Sequence, residues 1–131
     1  FEWAKTKADN SVQVFRAWDF LEHVQDKLGL IKEIYRLLCD GGYLLSNTPS
    51  TDGRGAFQDP THVAFYNENS FWYYTNGALA KYIDTPVRFQ TSVLQTYYPS
   101  GWHHVNKVPY VRADLIALKN NHHFNGGVIN I

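Results

Sequence analysis

Acids and histidines gather in two stretches of this chain. The first is Asp19-Phe20-Leu21-Glu22-His23, and the second is the segment 48–62, which carries Asp52, Arg54, Asp59 and His62. A neutral imidazole is the usual proton acceptor near neutral pH. His62 is therefore the candidate general base, with Asp59 three residues earlier to orient it; the plainer reading is that His62 stabilises a turn. Asp19, Glu22 and His23 follow a run with strand character, the edge at which open α/β sheets take their ligands. Their plainer reading is a helix cap and a packed imidazole. Asp19, Glu22, Asp52, Asp59 and His62 together offer oxygen and nitrogen donors that would suit Mg²⁺ or Mn²⁺, with Asp19, Glu22 and Asp59 as the carboxylate set. No pair among them has a diagnostic spacing, and solvated loop acids explain them as well. His103-His104 and His122-His123 look like metal pairs, yet adjacent residues of a strand or hairpin point to opposite faces and seldom reach one ion. Arg54 brings a fork of donors for an anionic or hydroxylated group, or else braces its loop. Phe71-Trp72-Tyr73-Tyr74 could supply a stacking wall with Trp72 and Tyr73, or simply core.

These residues need elements to hold them. Val12–Trp18 (VQVFRAW) is rich in strand formers. Residues 25–38 show helical spacing, with Leu28, Ile31, Tyr35 and Leu38 on one face and Ile34 beside them. Asp26 stands at the N-cap position, and Gly41-Gly42 is placed for a left-handed C-cap. A short buried strand follows at 43–46. Strand, helix and strand in this order make a βαβ unit, which requires a parallel pair. The segment 48–62 reads as a functional loop, too long to be idle. Asn69 or Ser70 could cap a helical segment, and 78–83 reads as more helix. Strands at 87–97 and 108–119, joined by a turn at 98–107, predict a β-hairpin added to the sheet. The tail 120–131 could end in a short edge strand.

Composition narrows the function. Hydrophobic residues at 44% and charged residues at 18% describe one folded α/β domain over 1–131. The formal net charge is zero, and no basic stripe exists to bind nucleic acid. Apolar runs are too short to cross a membrane, and residues 1–11 do not read as a signal peptide, so none is expected. Cys39 is single, so neither a disulfide framework nor a thiolate zinc site is available. A cytoplasmic location is the default expectation. Aromatic residues make up 16% and cluster at 65–74 and 97–102, which points to an apolar cleft beside the core. The sequence contains no Met, so it is expected not to begin where translation does.

Two words in the sequence carry a resemblance. Phe20-Leu21-Glu22-His23-Val24 followed by Asp26 is similar to the segment after the fourth strand of class I S-adenosylmethionine-dependent methyltransferases. Tyr35-Arg36-Leu37-Leu38-Cys39-Asp40-Gly41-Gly42-Tyr43-Leu44-Leu45 resembles that family's helix-to-strand turn, with Asp40 where Pro is usual. The resemblance spans 12–119 and implies a partial Rossmann-like methyltransferase fold, with parallel strands, a C-terminal antiparallel hairpin and flanking helices. It implies S-adenosylmethionine as methyl donor, with Asp19, Glu22 and His23 near the donor. The segment 50–62 is similar to that of bacterial sugar O-methyltransferases, including enzymes of methylated mannose polysaccharides in mycobacteria. That likeness implies a sugar or other small-molecule acceptor beneath the loop, with a metal ion such as Mg²⁺ helping to orient its hydroxyls. The residue types described above would then put Arg54, Trp72 and Tyr73 beside it and His62 as the base.

One departure stands beside the likeness. The family holds its donor with a glycine-rich turn after the first strand and an acid after the second. Residues 1–11 match neither. The expectation is a C-terminal portion of a methyltransferase domain that binds the donor weakly by itself. Two rivals remain: a metal-dependent hydrolase built on the loop 48–62, and a non-catalytic module that self-associates into a homo-oligomer through an open sheet edge.

Overall fold

The computed structural model describes residues 1–120 and 123–129. Four strands form one mixed sheet: β1 (Val12–Trp18), β2 (Leu38–Pro49), β3 (Phe89–Tyr97) and β4 (Tyr110–Ala117), in the order β1-β2-β4-β3. β1 and β2 run parallel, as the βαβ reading requires. β4 pairs antiparallel with both β2 and β3, which makes the expected hairpin. The connection is a right-length crossover through α1 (Lys27–Leu37), whose N-cap Asp26 accepts from the amide of Gly29 at 2.9 Å.

The helix buries Leu30, Ile31, Ile34 and Leu37. This stripe differs from the one read in the sequence, because Leu28 is 50% exposed and Tyr35 only half-buried. Residues 30, 31, 34, 37 and 38 repeat at three and four, and it is this face that meets the sheet. The glycine pair also acts differently. The helix ends in an extended Leu38, and Gly41, at φ +82°, lies in a bulge of β2. Val12 pairs with Leu38 while Val14 pairs with Tyr43, so the extra residues loop out between them. Gly42 is confined there, since a Cβ would stand 3.0–3.2 Å from three carbonyl oxygens.

Alternation sorts the sheet into two faces. Ala17, Leu44, Val111, Ala113, Leu115 and Ala117 join Leu30, Ile31 and Ile34 in the core. Tyr66, Phe71 and Tyr74 close it from the segment after β2. There α2 (Gly55–Gln58), a 3-10 turn (Glu68–Phe71), α3 (Trp72–Thr75) and α4 (Gly77–Tyr82) follow one another. Asn67 caps the 3-10 turn in a reciprocal box with Ser70, and Asn76 caps α4. The turn between β3 and β4 contains a further short helix, α5 (Gly101–Val105). On the opposite face Val14 and Trp18 stay 42% and 44% exposed. Residues 124–129 form no strand; they cross this face as a strap, with the Tyr43 hydroxyl donating to Gly127 O at 2.9 Å.

Candidate functional site

β1 and β2 end side by side because they are parallel, and both chain exits turn into one cleft of about 320 Å³. Asp19 leaves β1 with φ +51°, a left-handed backbone that Asp tolerates better than most residues. Its amide still pairs with Asn47 O at 2.9 Å, and its carboxylate accepts from the Tyr110 hydroxyl at 2.7 Å. Burial, then the bond to Asp19, raises the Tyr110 hydroxyl well above the usual phenol range, so it stays a donor. The 3-10 turn Leu21–His23 follows and delivers Glu22 and His23.

Glu22 is the chemically unusual group. It is 2% exposed. One carboxyl oxygen accepts from the buried Thr48 hydroxyl at 3.0 Å, and the other, Oε2, is buried with no hydrogen-bond partner. Burial raises its pKa above the ordinary carboxylate value, against the bonds from its own backbone and Thr48. The Glu22 carbonyl meanwhile accepts from the amides of Val63 and Ala64, at 2.9 and 3.1 Å. That pair of bonds folds the end of the loop back over the turn.

His62 arrives with that loop. Its side chain is 7% exposed, and Nδ1 lies 3.0 Å from Ala56 O. A carbonyl oxygen only accepts, so Nδ1 carries a proton, and in the neutral ring Nε2 holds the lone pair. The orienting partner is therefore the Ala56 carbonyl, since Asp59 Oδ2 stands 3.6 Å from Nε2. The Asp59 carboxylate instead holds the Thr61 hydroxyl and amide, at 2.7 and 2.8 Å, and those bonds keep its pKa below the usual range. His23 is held in the same manner as His62: its Nδ1 faces Thr61 O at 3.2 Å. The two rings meet edge to face with centroids 5.0 Å apart. One donor atom from each of Glu22, His23 and His62 falls within 4.8 Å of the others.

Other expected residues lie elsewhere. Asp52 and Arg54 belong to a neighbouring groove with Phe57 and Lys107, although Gln58 borders both. Trp72 lines a separate groove with Arg88, Leu94 and His123, and Tyr73 is half-buried. The helical path of 71–75 sends Phe71 and Tyr74 into the core and turns Trp72 outward, so the segment is not one wall of the cleft. Asp19, Glu22 and Asp59 do not converge as one carboxylate set, because Tyr110 and Thr61 hold the two outer members. His103 lines the cleft while His104 lies against Tyr98, ring centroids 4.7 Å apart and tilted by 51°, since successive residues of α5 diverge. His122 lies outside the described residues. Thr48, Trp102 and Tyr110 complete the site without having been singled out. Tyr110 is brought there by its register opposite Pro49, which only the strand pairing reveals.

The cleft lining contains Asp19, Glu22 and Asp59 but no Lys or Arg. Such a cleft favours a cation or a neutral hydroxylated group over an anion.

No family model and no curated protein matches the sequence. Solved structures do match the fold. An S-adenosylmethionine-dependent methyltransferase from Archaeoglobus fulgidus aligns at TM-score 0.58 and 12% identity, covering 88% of this chain and 63% of its own. One from Methanosarcina mazei aligns at TM-score 0.59 and 16% identity, covering 86% and 62%. Phosphoethanolamine N-methyltransferase 2 from Haemonchus contortus, solved with phosphomonomethylethanolamine and S-adenosylhomocysteine, aligns at 0.56 and 14%, covering 87% and 35%. The chain therefore has an α/β fold of the class I methyltransferase kind, and it spans less than two thirds of the length of these neighbours. Among the described residues no helix is long and apolar enough to cross a membrane.

Proposed function

We propose that this chain forms the acceptor side of an S-adenosylmethionine-dependent methyltransferase acting on a hydroxyl of a neutral small molecule, such as a sugar. The observation that carries the reading is His62, pinned through Nδ1 to Ala56 O with its free Nε2 in an acidic cleft at the carboxyl ends of two parallel strands. The methyl donor supplies an electrophilic methyl group. Its positive sulfonium suits a cleft that holds Asp19, Glu22 and Asp59 without a cationic side chain, and Asp19, Glu22 and His23 are the residues assigned to its neighbourhood. No residue here is assigned to the adenosine part.

Transfer is an in-line displacement: the methyl–sulfur bond breaks as the methyl–oxygen bond forms. The chain's task is to aim the oxygen and take its proton. His62 Nε2 accepts that proton, and the resulting imidazolium keeps its Nδ1–H on Ala56 O. Trp102 and Tyr110 wall the acceptor in, and the Tyr110 hydroxyl, held by Asp19, fixes one side of the cleft.

The test uses the full-length protein that carries this chain. His62→Asn keeps a side-chain amide able to donate to Ala56 O and removes Nε2, while His62→Ala removes both. Each should lower turnover by roughly 10²- to 10⁴-fold, with donor affinity and melting temperature of the Asn variant unchanged. Retention of more than about a tenth of turnover by His62→Asn overturns the base assignment.

A further inference from the structure

We infer that Glu22, His23 and His62 form a binding site for one divalent cation of the zinc class. Three observations converge on it. Each imidazole spends its Nδ1–H on a backbone carbonyl, Thr61 O for His23 and Ala56 O for His62. The Thr61 hydroxyl also lies 3.3 Å from His23 Nδ1, but its own proton goes to Asp59 Oδ1. In their neutral form both rings therefore present Nε2 as a lone pair. Glu22 adds Oε2, an oxygen buried without a partner on a side chain that is 2% exposed.

Lone pairs without a donor repel one another; Glu22 Oε2 is buried out of reach of water and His62 is partly buried, while His23 stands exposed at the mouth of the group. A positive centre relieves the repulsion. A neutral hydroxyl brings one proton and satisfies one of the three; a metal ion satisfies all three. Metal-bound histidines usually donate their other ring N–H to a carbonyl or carboxylate, as both imidazoles do here.

The donor set also selects the ion. Two nitrogens and one carboxylate oxygen match Zn²⁺, Co²⁺ or Mn²⁺ better than Mg²⁺, which takes oxygens. Three protein ligands leave a fourth position open toward the cleft. A tetrahedral ion with bonds of about 2.1 Å sets its ligands about 3.4 Å apart. One ligand atom from each of the three side chains lies within 4.8 Å of the others, so those atoms need close by about 1.4 Å at most. Side-chain rotation of His23 and the turn bearing it supplies such a movement.

Ion binding itself is independent of the methyl-transfer reading. Its consequence rests on that reading: an ion on His62 Nε2 holds the lone pair the base needs, so metal occupancy and proton acceptance exclude each other.

The experiment is a calorimetric titration of the chain with Zn²⁺, paired with the visible absorption of Co²⁺ under the same conditions. One equivalent should bind, with the intense Co²⁺ bands of a low-coordinate nitrogen and oxygen site. Glu22→Gln, His23→Asn and His62→Asn should each weaken binding at least about tenfold, the lower bound set by loss of an outer-shell partner. His104→Asn, at a histidine that contacts Tyr98 and does not line the cleft, should leave it unchanged. Circular dichroism of each variant separates lost ligation from lost fold. Absence of a one-to-one site in the unaltered chain overturns the inference. Binding undiminished in folded Glu22→Gln and His62→Asn overturns it equally. Neither result needs an activity assay, so failure here is distinct from failure of the methyl-transfer reading.

Discussion

Thr48→Val tests whether the buried Glu22 carboxyl is held by a single designed partner. Thr48 is completely buried near the end of β2, and its hydroxyl donates to Glu22 Oε1 at 3.0 Å. Valine preserves the shape and replaces the donor with a methyl group. A hydrogen bond to a charged group contributes about 1.5–3 kcal/mol. The added methyl returns up to about 0.8 kcal/mol by burial, which leaves a net loss of about 0.7–2.2 kcal/mol. The net figure is small enough for strand propensity to confuse, so the decisive measurement is a double-mutant cycle. In a Glu22→Ala background the hydroxyl has lost its acceptor, and Thr48→Val should become neutral or stabilising. Urea unfolding followed by tryptophan fluorescence gives the four stabilities, and the coupling between the sites should be about 1.5–3 kcal/mol. An equal cost of Thr48→Val in both backgrounds refutes the claim that Thr48 stabilises the fold by satisfying Glu22.

Two other predictions concern the opposite face of the sheet. In Gly126→Ala the new Cβ would stand 2.3 Å from Ile116 Cδ1 and 2.7 Å from the Tyr43 hydroxyl, so residues 124–129 should lift. Hydrogen exchange should speed up in that strap while α1 is unaffected; unchanged protection of the strap would show that the close approach is not required. β1 is a sheet edge with Val14 and Trp18 exposed, and the chain should self-associate through it. Light scattering should give a mass above that of the monomer, falling to the monomer in Val14→Lys; a monomer at all concentrations would count against edge pairing.

The parts of the fold governed by local rules were legible in the sequence. Asp26 announced the start of α1, the βαβ order required β1 and β2 to be parallel, and the segments 87–97 and 108–119 paired as a hairpin. Rules that depend on the third dimension were not. Gly41-Gly42 is a turn signal, yet nothing local says whether the left-handed residue caps the helix or bulges the strand. That choice is made by β1, which resumes pairing at Tyr43. The aromatic run 71–74 has no periodicity long enough to reveal which rings face inward. The site shows the same division. The two stretches holding Glu22, His23 and His62 stood out by residue type, and their meeting follows from parallel strand ends. Thr48 and Tyr110 enter through register, and the orientation of both histidines depends on the carbonyls of Ala56 and Thr61, which no side-chain pattern encodes.

Selection for folding alone does not account for the cleft. A carboxyl oxygen buried without a partner costs stability, and glutamine at position 22 would keep the Thr48 bond without burying a charge. Asp19 adds a left-handed backbone, a conformation that persists where surrounding structure enforces it. Around these two costly residues the remaining groups are tightly tied: Asp19 to Tyr110, Thr61 to Asp59, and both imidazoles to carbonyls. The restraint leaves Glu22 Oε2 without a partner and engages each imidazole through Nδ1. These groups lie at the edge of the sheet where parallel strands open toward a ligand. On the two proposals above, an acceptor hydroxyl and a cation would compete for the Nε2 lone pair of His62, and their relative affinities and concentrations would decide which of them holds it.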